Sequence, residues 1–171
     1  MYWGFESGTT EGWVADPSDP AAVQNIGVST SRYHTGSQSL AVTVSLGSAS
    51  TDDARGISIV SPLCSSTGTV NLSGYTFSAW VNFNVTWSAI PEHAANLLQG
   101  MLICRDTPTQ GTSGVVGVSQ SNVNQWLHMS GVVNQASTGN YMARLTVYFA
   151  MADNEGFSGT MYVDDVRLIP P

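Results

Sequence analysis

The apolar residues of this 171-residue chain fall in short alternating runs, and no stretch repeats them at helical spacing along an amphipathic face. A period of two puts successive side chains on opposite faces of an extended strand, so one face can be buried while the other stays wet. Clusters of Gly, Ser, Thr, Asn and Pro punctuate the runs and read as turns. The strand candidates are Tyr2–Phe5, Trp13–Ala15, Ile26–Thr30, Ser39–Leu46, Gly56–Ser61, Thr76–Val85, Leu97–Arg105, Gly114–Ser119, Leu127–Val133, Arg144–Met151 and Met161–Ile169. So many short strands around a single core predict an all-β chain: a jelly-roll β-sandwich of two antiparallel sheets with about ten strands. Only Ser88–Leu98 has helical flavour. Pro91 is placed to open one turn through Glu92, His93, Ala94 and Ala95, inside what reads as a long loop. Residues 1–169 read as one domain, with Pro170-Pro171 as the start of a linker.

Charge narrows the partners. The formal net charge is −7, from 12 acidic and 5 basic residues. Every basic residue is an arginine (Arg32, Arg55, Arg105, Arg144, Arg167), and they are scattered. With no basic stripe to follow phosphates, nucleic acid and anionic membrane surfaces are not expected partners. No apolar run reaches the length of a membrane-spanning helix. Met1 stands directly on the first strand candidate, which reads as a segment of a longer protein, so a missing leader says little about compartment. Richness in Ser, Thr, Gly and Asn without lysine points to a secreted, extracellular protein. Cys64 and Cys104 lie in no CxxC and beside no histidine, which argues against zinc. A single disulfide and two buried thiols both remain open.

Two strands carry more detail. In Tyr75–Trp87, Phe77, Ala79, Val81, Phe83 and Val85 share a core face, whereas Thr76, Ser78, Trp80, Asn82, Asn84 and Thr86 share a polar one. In Arg144–Met151, Leu145, Val147, Phe149 and Met151 point inward, with Arg144, Thr146, Tyr148 and Ala150 outward. Each strand therefore sets an aromatic ring among hydrogen-bonding groups on an outer face. Sugars suit that chemistry: their C–H faces stack on a flat ring, and their hydroxyls bond amides, guanidinium and hydroxyl groups.

An enzyme would need a catalytic constellation. His34, His93 and His128 fall in separate segments, without HExxH or GxSxG patterns. The acids Asp52-Asp53, Asp164-Asp165 and Glu92 are candidates for a glycosidase pair, but neighbours on a strand point to opposite faces. A jelly-roll polysaccharide lyase built from Tyr148, Arg144, His128 and Gln99 is the enzymatic alternative. A structural spacer or adhesion sandwich is the third reading, although its outer faces should lack aromatics such as Trp80 and Tyr148. Trp3, Trp13 and Trp126 read as core or edge-sealing residues.

Five motifs in order resemble a known group. Trp3-Gly4-Phe5-Glu6-Ser7-Gly8 with Glu11-Gly12-Trp13, then Tyr33-His34-Thr35-Gly36-Ser37-Gln38-Ser39-Leu40, then Tyr75-Thr76-Phe77-Ser78-Ala79-Trp80-Val81, lead into Gln125-Trp126-Leu127-His128-Met129-Ser130-Gly131 and Tyr162-Val163-Asp164-Asp165-Val166-Arg167-Leu168. Together, from residue 2 to 169, they resemble the jelly-roll carbohydrate-binding modules of families 4, 9, 16 and 22. Ser50–Ser61 and Val85–Leu98 match nothing in that pattern. The resemblance implies a non-catalytic, monomeric module that holds a polysaccharide, a β-linked glucan or xylan, in a groove on the concave sheet and serves an attached catalytic domain. Ligand contacts expected from the resemblance and the strand faces together are Trp80, Tyr148, Arg144, Gln99, Asn82 and Asn84, with Met101 close by. Asp16 stands where relatives often place a groove aromatic, and Trp87 is the candidate replacement. A structural calcium is also implied, held by the carbonyls of Gly4 and Gln38, the carboxylate of Asp164 and Glu6. Asp164 has the parity of Val166 and Leu168, which predicts a carboxylate on the core side.

Overall fold

The computed structural model describes residues 1–17, 23–46, 53–63, 69–87, 96–104, 110–118, 123–133, 138–139, 141–151 and 157–171. For residues 46, 53–56, 63, 87, 96–104, 110–118, 138–139, 147–151 and 157 it gives the course of the chain only. The strands are β1 (Tyr2–Trp3), β2 (Val14–Ala15), β3 (Val23–Ser29), β4 (Ser39–Leu46), β5 (Asp53–Leu63), β6 (Val70–Asn71), β7 (Thr76–Trp87), β8 (Asn96–Cys104), β9 (Gln110–Val118), β10 (Trp126–Val132), β11 (Thr138–Gly139), β12 (Tyr141–Met151) and β13 (Phe157–Ile169).

These strands form two antiparallel sheets. The first runs β10-β7-β13-β4-β3, with β1 paired to β13; the second runs β2-β5-β12-β8-β9. A small β6–β11 ladder stands apart. Inward positions meet in one core. The first sheet supplies Leu40, Val42, Val44, Phe77, Ala79, Val81, Phe83, Met129, Met161 and Val163; the second supplies Ile57, Ile59, Tyr141, Ala143 and Leu145. Trp3 and Trp13 pack into the same core edge to face, 5.6 Å apart at 87°. Full burial of each large side chain such as Phe77 or Phe83 stabilises the sandwich by roughly 1.5–3 kcal/mol. The β-sandwich expected from the alternation is the fold observed.

Differences from the expected strands have local causes. Phe5 adopts a left-handed φ of +61°, so the first strand ends at Trp3. The short pair β6 and β11 carries too few residues for an alternating pattern to be read. The expected helical turn lies largely within residues 88–95, outside the described residues, while Asn96 already belongs to β8.

A bulge in β13 corrects the expected parity of Asp164. In register with β7, Asp164 lies opposite Trp80 and Arg167 opposite Ser78, so Asp165 and Val166 together face Ala79. Two residues against one shift the alternation by a step. Asp165 takes up the extra residue at a left-handed φ of +48°. Asp164 therefore shares the register face of Trp80, not the core face of Val166. It is nonetheless buried, beneath the loop that precedes β4.

Candidate functional site

The residues expected to line one groove lie on two sheets. Trp80, Asn82 and Asn84 belong to β7 of the first sheet, whereas Arg144 and Tyr148 on β12 and Gln99 on β8 belong to the second. The core separates them. Alternation sorts the two faces of β7, and of β12 as far as Thr146, but carries no information on which sheet a strand joins, and a common groove is thereby corrected. His128 on β10 also lies in the first sheet, so the Tyr148, Arg144, His128 and Gln99 lyase quartet is not assembled.

On the second sheet, register places Tyr148 opposite Gly56 and Leu97, Thr146 opposite Ser58 and Gln99, and Arg144 opposite Val60 and Met101. Arg144 is held in place. Its Nε lies 2.9 Å from Asp16 Oδ2, and its Nη2 donates to Ser58 Oγ at 3.1 Å. Ser58 Oγ and Thr146 Oγ1 share a buried hydrogen bond of 2.9 Å. The Asp16 N–H donates to the Ser58 carbonyl at 3.0 Å, which anchors the carboxylate just after β2. The guanidinium side chain retains 16% of its exposure and Asp16 only 5%, so the ion pair is largely desolvated; its Nε–Oδ2 contact is close but outside hydrogen-bond geometry, and the directed bond is the one to Ser58. The resemblance to carbohydrate-binding modules presents Asp16 only as a missing aromatic; its partnership with Arg144 depends on β2 pairing with β5, which no local pattern reveals.

Trp80 meets different company on the outer face of the first sheet. His34 stacks on its ring at 3.9 Å and 14°, and His128, opposite it in register, stacks at 4.6 Å and 23°. Two imidazoles thus cover Trp80, which is not an open platform for a sugar. Asn82 is fully buried, with its Oδ1 accepting from Arg32 Nη1 at 3.4 Å; Asn84 is exposed. Trp126, expected in the core or at an edge, is half-buried on this outer face, 5.6 Å from His34.

The loop between β3 and β4 is tied down by three carboxylates. Asp164 Oδ2 accepts the N–H groups of His34 (2.8 Å) and Thr35 (3.1 Å), and Oδ1 accepts that of Asp165 at 2.7 Å. Burial pushes the Asp164 carboxyl above its ordinary value, against the pull of those three donors. Asp165 accepts from Tyr2 Oη, Thr35 Oγ1 and Arg167 Nη2 and contacts His34 Nδ1 at 2.9 Å. Burial acts upward here too, but the four partners outweigh it and hold this carboxyl at about 2. Glu6 accepts from the backbone N–H groups of Ser37 and Gln38 and from Ser37 Oγ, which lowers its pKa.

Oxygen donors of the kind a hard cation takes are present in this loop. Among the described residues, no three His, Cys, Asp or Glu side chains gather around one point. Calcium, however, takes carbonyl as readily as carboxylate oxygen. Asp164 and Glu6 each accept three hydrogen bonds, against about four lone-pair sites on a carboxylate. Gln38 Oε1 is buried without a hydrogen-bond partner, an acceptor left over in the same loop.

Cys64, Asp52, Glu92 and His93 lie outside the described residues, as do the side chains of Tyr148, Gln99, Trp87, Met101 and Cys104.

No family model and no curated protein matches the sequence. Solved structures do match along nearly the whole chain. CBM27-1 of Caldicellulosiruptor saccharolyticus, in complex with mannohexaose, superposes with a TM-score of 0.65 at 14% identity, covering 100% of this chain and 97% of that one. The C-terminal family 22 carbohydrate-binding module of Clostridium thermocellum Xyn10B gives 0.58 at 18% identity, over 99% and 92%. A xylan-binding domain of family 22 gives 0.59 at 17% identity, over 99% and 93%. The chain has the jelly-roll fold of carbohydrate-binding modules. At these identities the likeness is one of fold, and the chemistry of the ligand must come from this chain's own residues.

Proposed function

We propose that this protein is a non-catalytic carbohydrate-binding module that holds a neutral polysaccharide chain against the second sheet. The observation that carries the reading is Arg144, fixed by Asp16 and Ser58 on the face whose register also includes Tyr148 and Gln99. A guanidinium neutralised by a buried acid offers directed N–H groups without net charge, which suits hydroxyls rather than anions. Tyr148 would stack on a pyranose face while Arg144 and Gln99 select hydroxyl orientation. The xylan-binding domain and the mannohexaose complex among proteins of the same fold support a neutral backbone; within that class a β-linked xylan or glucan is our choice. Binding by one such face is weak, roughly −4 to −8 kcal/mol. Its use is to raise the effective concentration of an attached catalytic domain near its substrate, in a secreted, monomeric module.

The same proposal includes a structural calcium held by the carbonyls of Gly4 and Gln38 and the carboxylates of Glu6 and Asp164. Support comes from the all-oxygen set and the orphaned Gln38 amide oxygen. The cation would compensate charge in a loop where Asp164 is wholly buried.

Affinity electrophoresis against xylan, β-glucan, laminarin, hydroxyethylcellulose, mannan and alginate tests the binding reading. Retardation by one or two neutral glycans without release of reducing sugar is the expected result. Unchanged migration throughout the panel would transfer the assignment to a structural spacer.

A further inference from the structure

The outer face of the first sheet holds an arginine with only neutral acceptors among the described residues and a buried amide N–H with none. Arg32 Nη1 donates to Asn82 Oδ1 at 3.4 Å and to the Asn124 carbonyl at 3.3 Å, and its guanidinium lies 5.9 Å from the Tyr162 ring centre. Those contacts are long and neutral. Arg144 and Arg167 each meet a buried aspartate, but no carboxylate pairs with Arg32 among the described residues. Asn82 beneath it is fully buried, and with Oδ1 given to Arg32 its Nδ2 has no partner. Directly opposite Asn82 in register stands Trp126, half-buried, with the exposed His128 two residues further along β10. The face therefore offers an unpaired cation and a partly open indole, with an unmet amide N–H buried beneath them.

We propose that this face is a second saccharide site, distinct from the Arg144 face, whose ligand carries the carboxylate of a uronic acid. A carboxylate supplies the two acceptor oxygens that a guanidinium takes in parallel, and the pyranose ring carrying it can lie against Trp126. Charge complementarity selects this occupant over a neutral sugar, since Arg32 already satisfies its neutral acceptors only at the long end of hydrogen-bond range. The net charge of −7 repels a continuous polyanion, so the fitting form is an isolated uronate on a neutral chain. This site lies beyond the groove on the opposite sheet and does not need it.

The test is an NMR titration of the isotopically labelled protein with methyl glucuronide and, separately, methyl glucoside. The indole N–H of Trp126 is followed, identified by its loss in Trp126→Phe. A saturable shift with the glucuronide, on the order of tenfold or more stronger than with the glucoside and weakened by added salt, is expected. Arg32→Gln should remove the preference while leaving the other indole signals in place, and Arg32→Lys should retain part of it. Equal response to the two sugars, or a preference undiminished in Arg32→Gln, would overturn the site. Should Arg32→Gln disturb every indole, the salt dependence and the glucoside comparison in the unmodified protein decide instead. Retardation by neutral glycans is read separately, so failure of this site and failure of the Arg144 face are told apart.

Discussion

Asp165 occupies a left-handed backbone conformation that costs a non-glycine residue roughly 1–2 kcal/mol. The surrounding contacts over-determine it: Tyr2, His34, Thr35 and Arg167 all converge on its carboxylate. Asp165→Asn should destabilise the protein by about 2 kcal/mol at neutral pH, because the buried network loses its charge and one of its two acceptor oxygens becomes a donor facing other donors. The pH dependence has a definite sign. With the folded value held at about 2 and the ordinary value at 3.8, the Asp165 contribution is complete above pH 4 and is lost as pH falls towards 2. Asp164 acts in the opposite direction. Its raised carboxyl gives a contribution that is present below the unfolded value and fades as pH rises through the folded one. Denaturant unfolding of the wild type and Asp165→Asn from pH 7 to pH 2 should therefore show their stabilities converging in acid; a constant gap would refute the assignment.

At the scale of elements, the loop from Arg32 to Gln38 is a cover laid on the first sheet. Gly36 sits at a φ of +69°, and a Cβ there would meet the Glu6 carboxylate. Gly36→Ala should therefore cost on the order of 1–3 kcal/mol through backbone strain and displacement of Glu6 from the Ser37 and Gln38 N–H groups. Thermal melts would read this, and an unchanged midpoint would mean that Glu6 does not clamp the loop. If calcium also binds here, chelation should lower the melting temperature of the wild type and added calcium should restore it. An unmoved melt in metal-free protein would leave Asp164 satisfied by its N–H donors alone. Trp80→Ala removes the ring between two imidazoles and should destabilise by about 2 kcal/mol, less than a fully buried aromatic because Trp80 is half-buried.

At the scale of the molecule, the two sheets give two outer faces that can be tested apart. Arg144→Ala should abolish or strongly reduce retardation by a neutral glycan, whereas Trp80→Ala should preserve it despite its lower stability. Loss of retardation only in Trp80→Ala would move the groove to the first sheet. Asp16→Asn should resemble a milder Arg144→Ala, since the guanidinium keeps Ser58 but loses its charged anchor.

Much of the architecture was present in the amino-acid order itself. The alternation of Phe77, Ala79, Val81 and Phe83 with Ser78, Trp80 and Asn82 determined a strand with one buried face, and its repetition along the chain determined a sandwich. Those are local properties, because side chains two apart on an extended backbone share a face wherever the strand goes. Tertiary structure alone decided that β7 and β12 belong to different sheets, that His34 and His128 close over Trp80, and that Asp16 holds Arg144. It also decided the face of Asp164, since the bulge exists only in register with β7. Pairing and register join residues far apart in the chain, and their energies depend on which partners meet, so no single run of residues contains them.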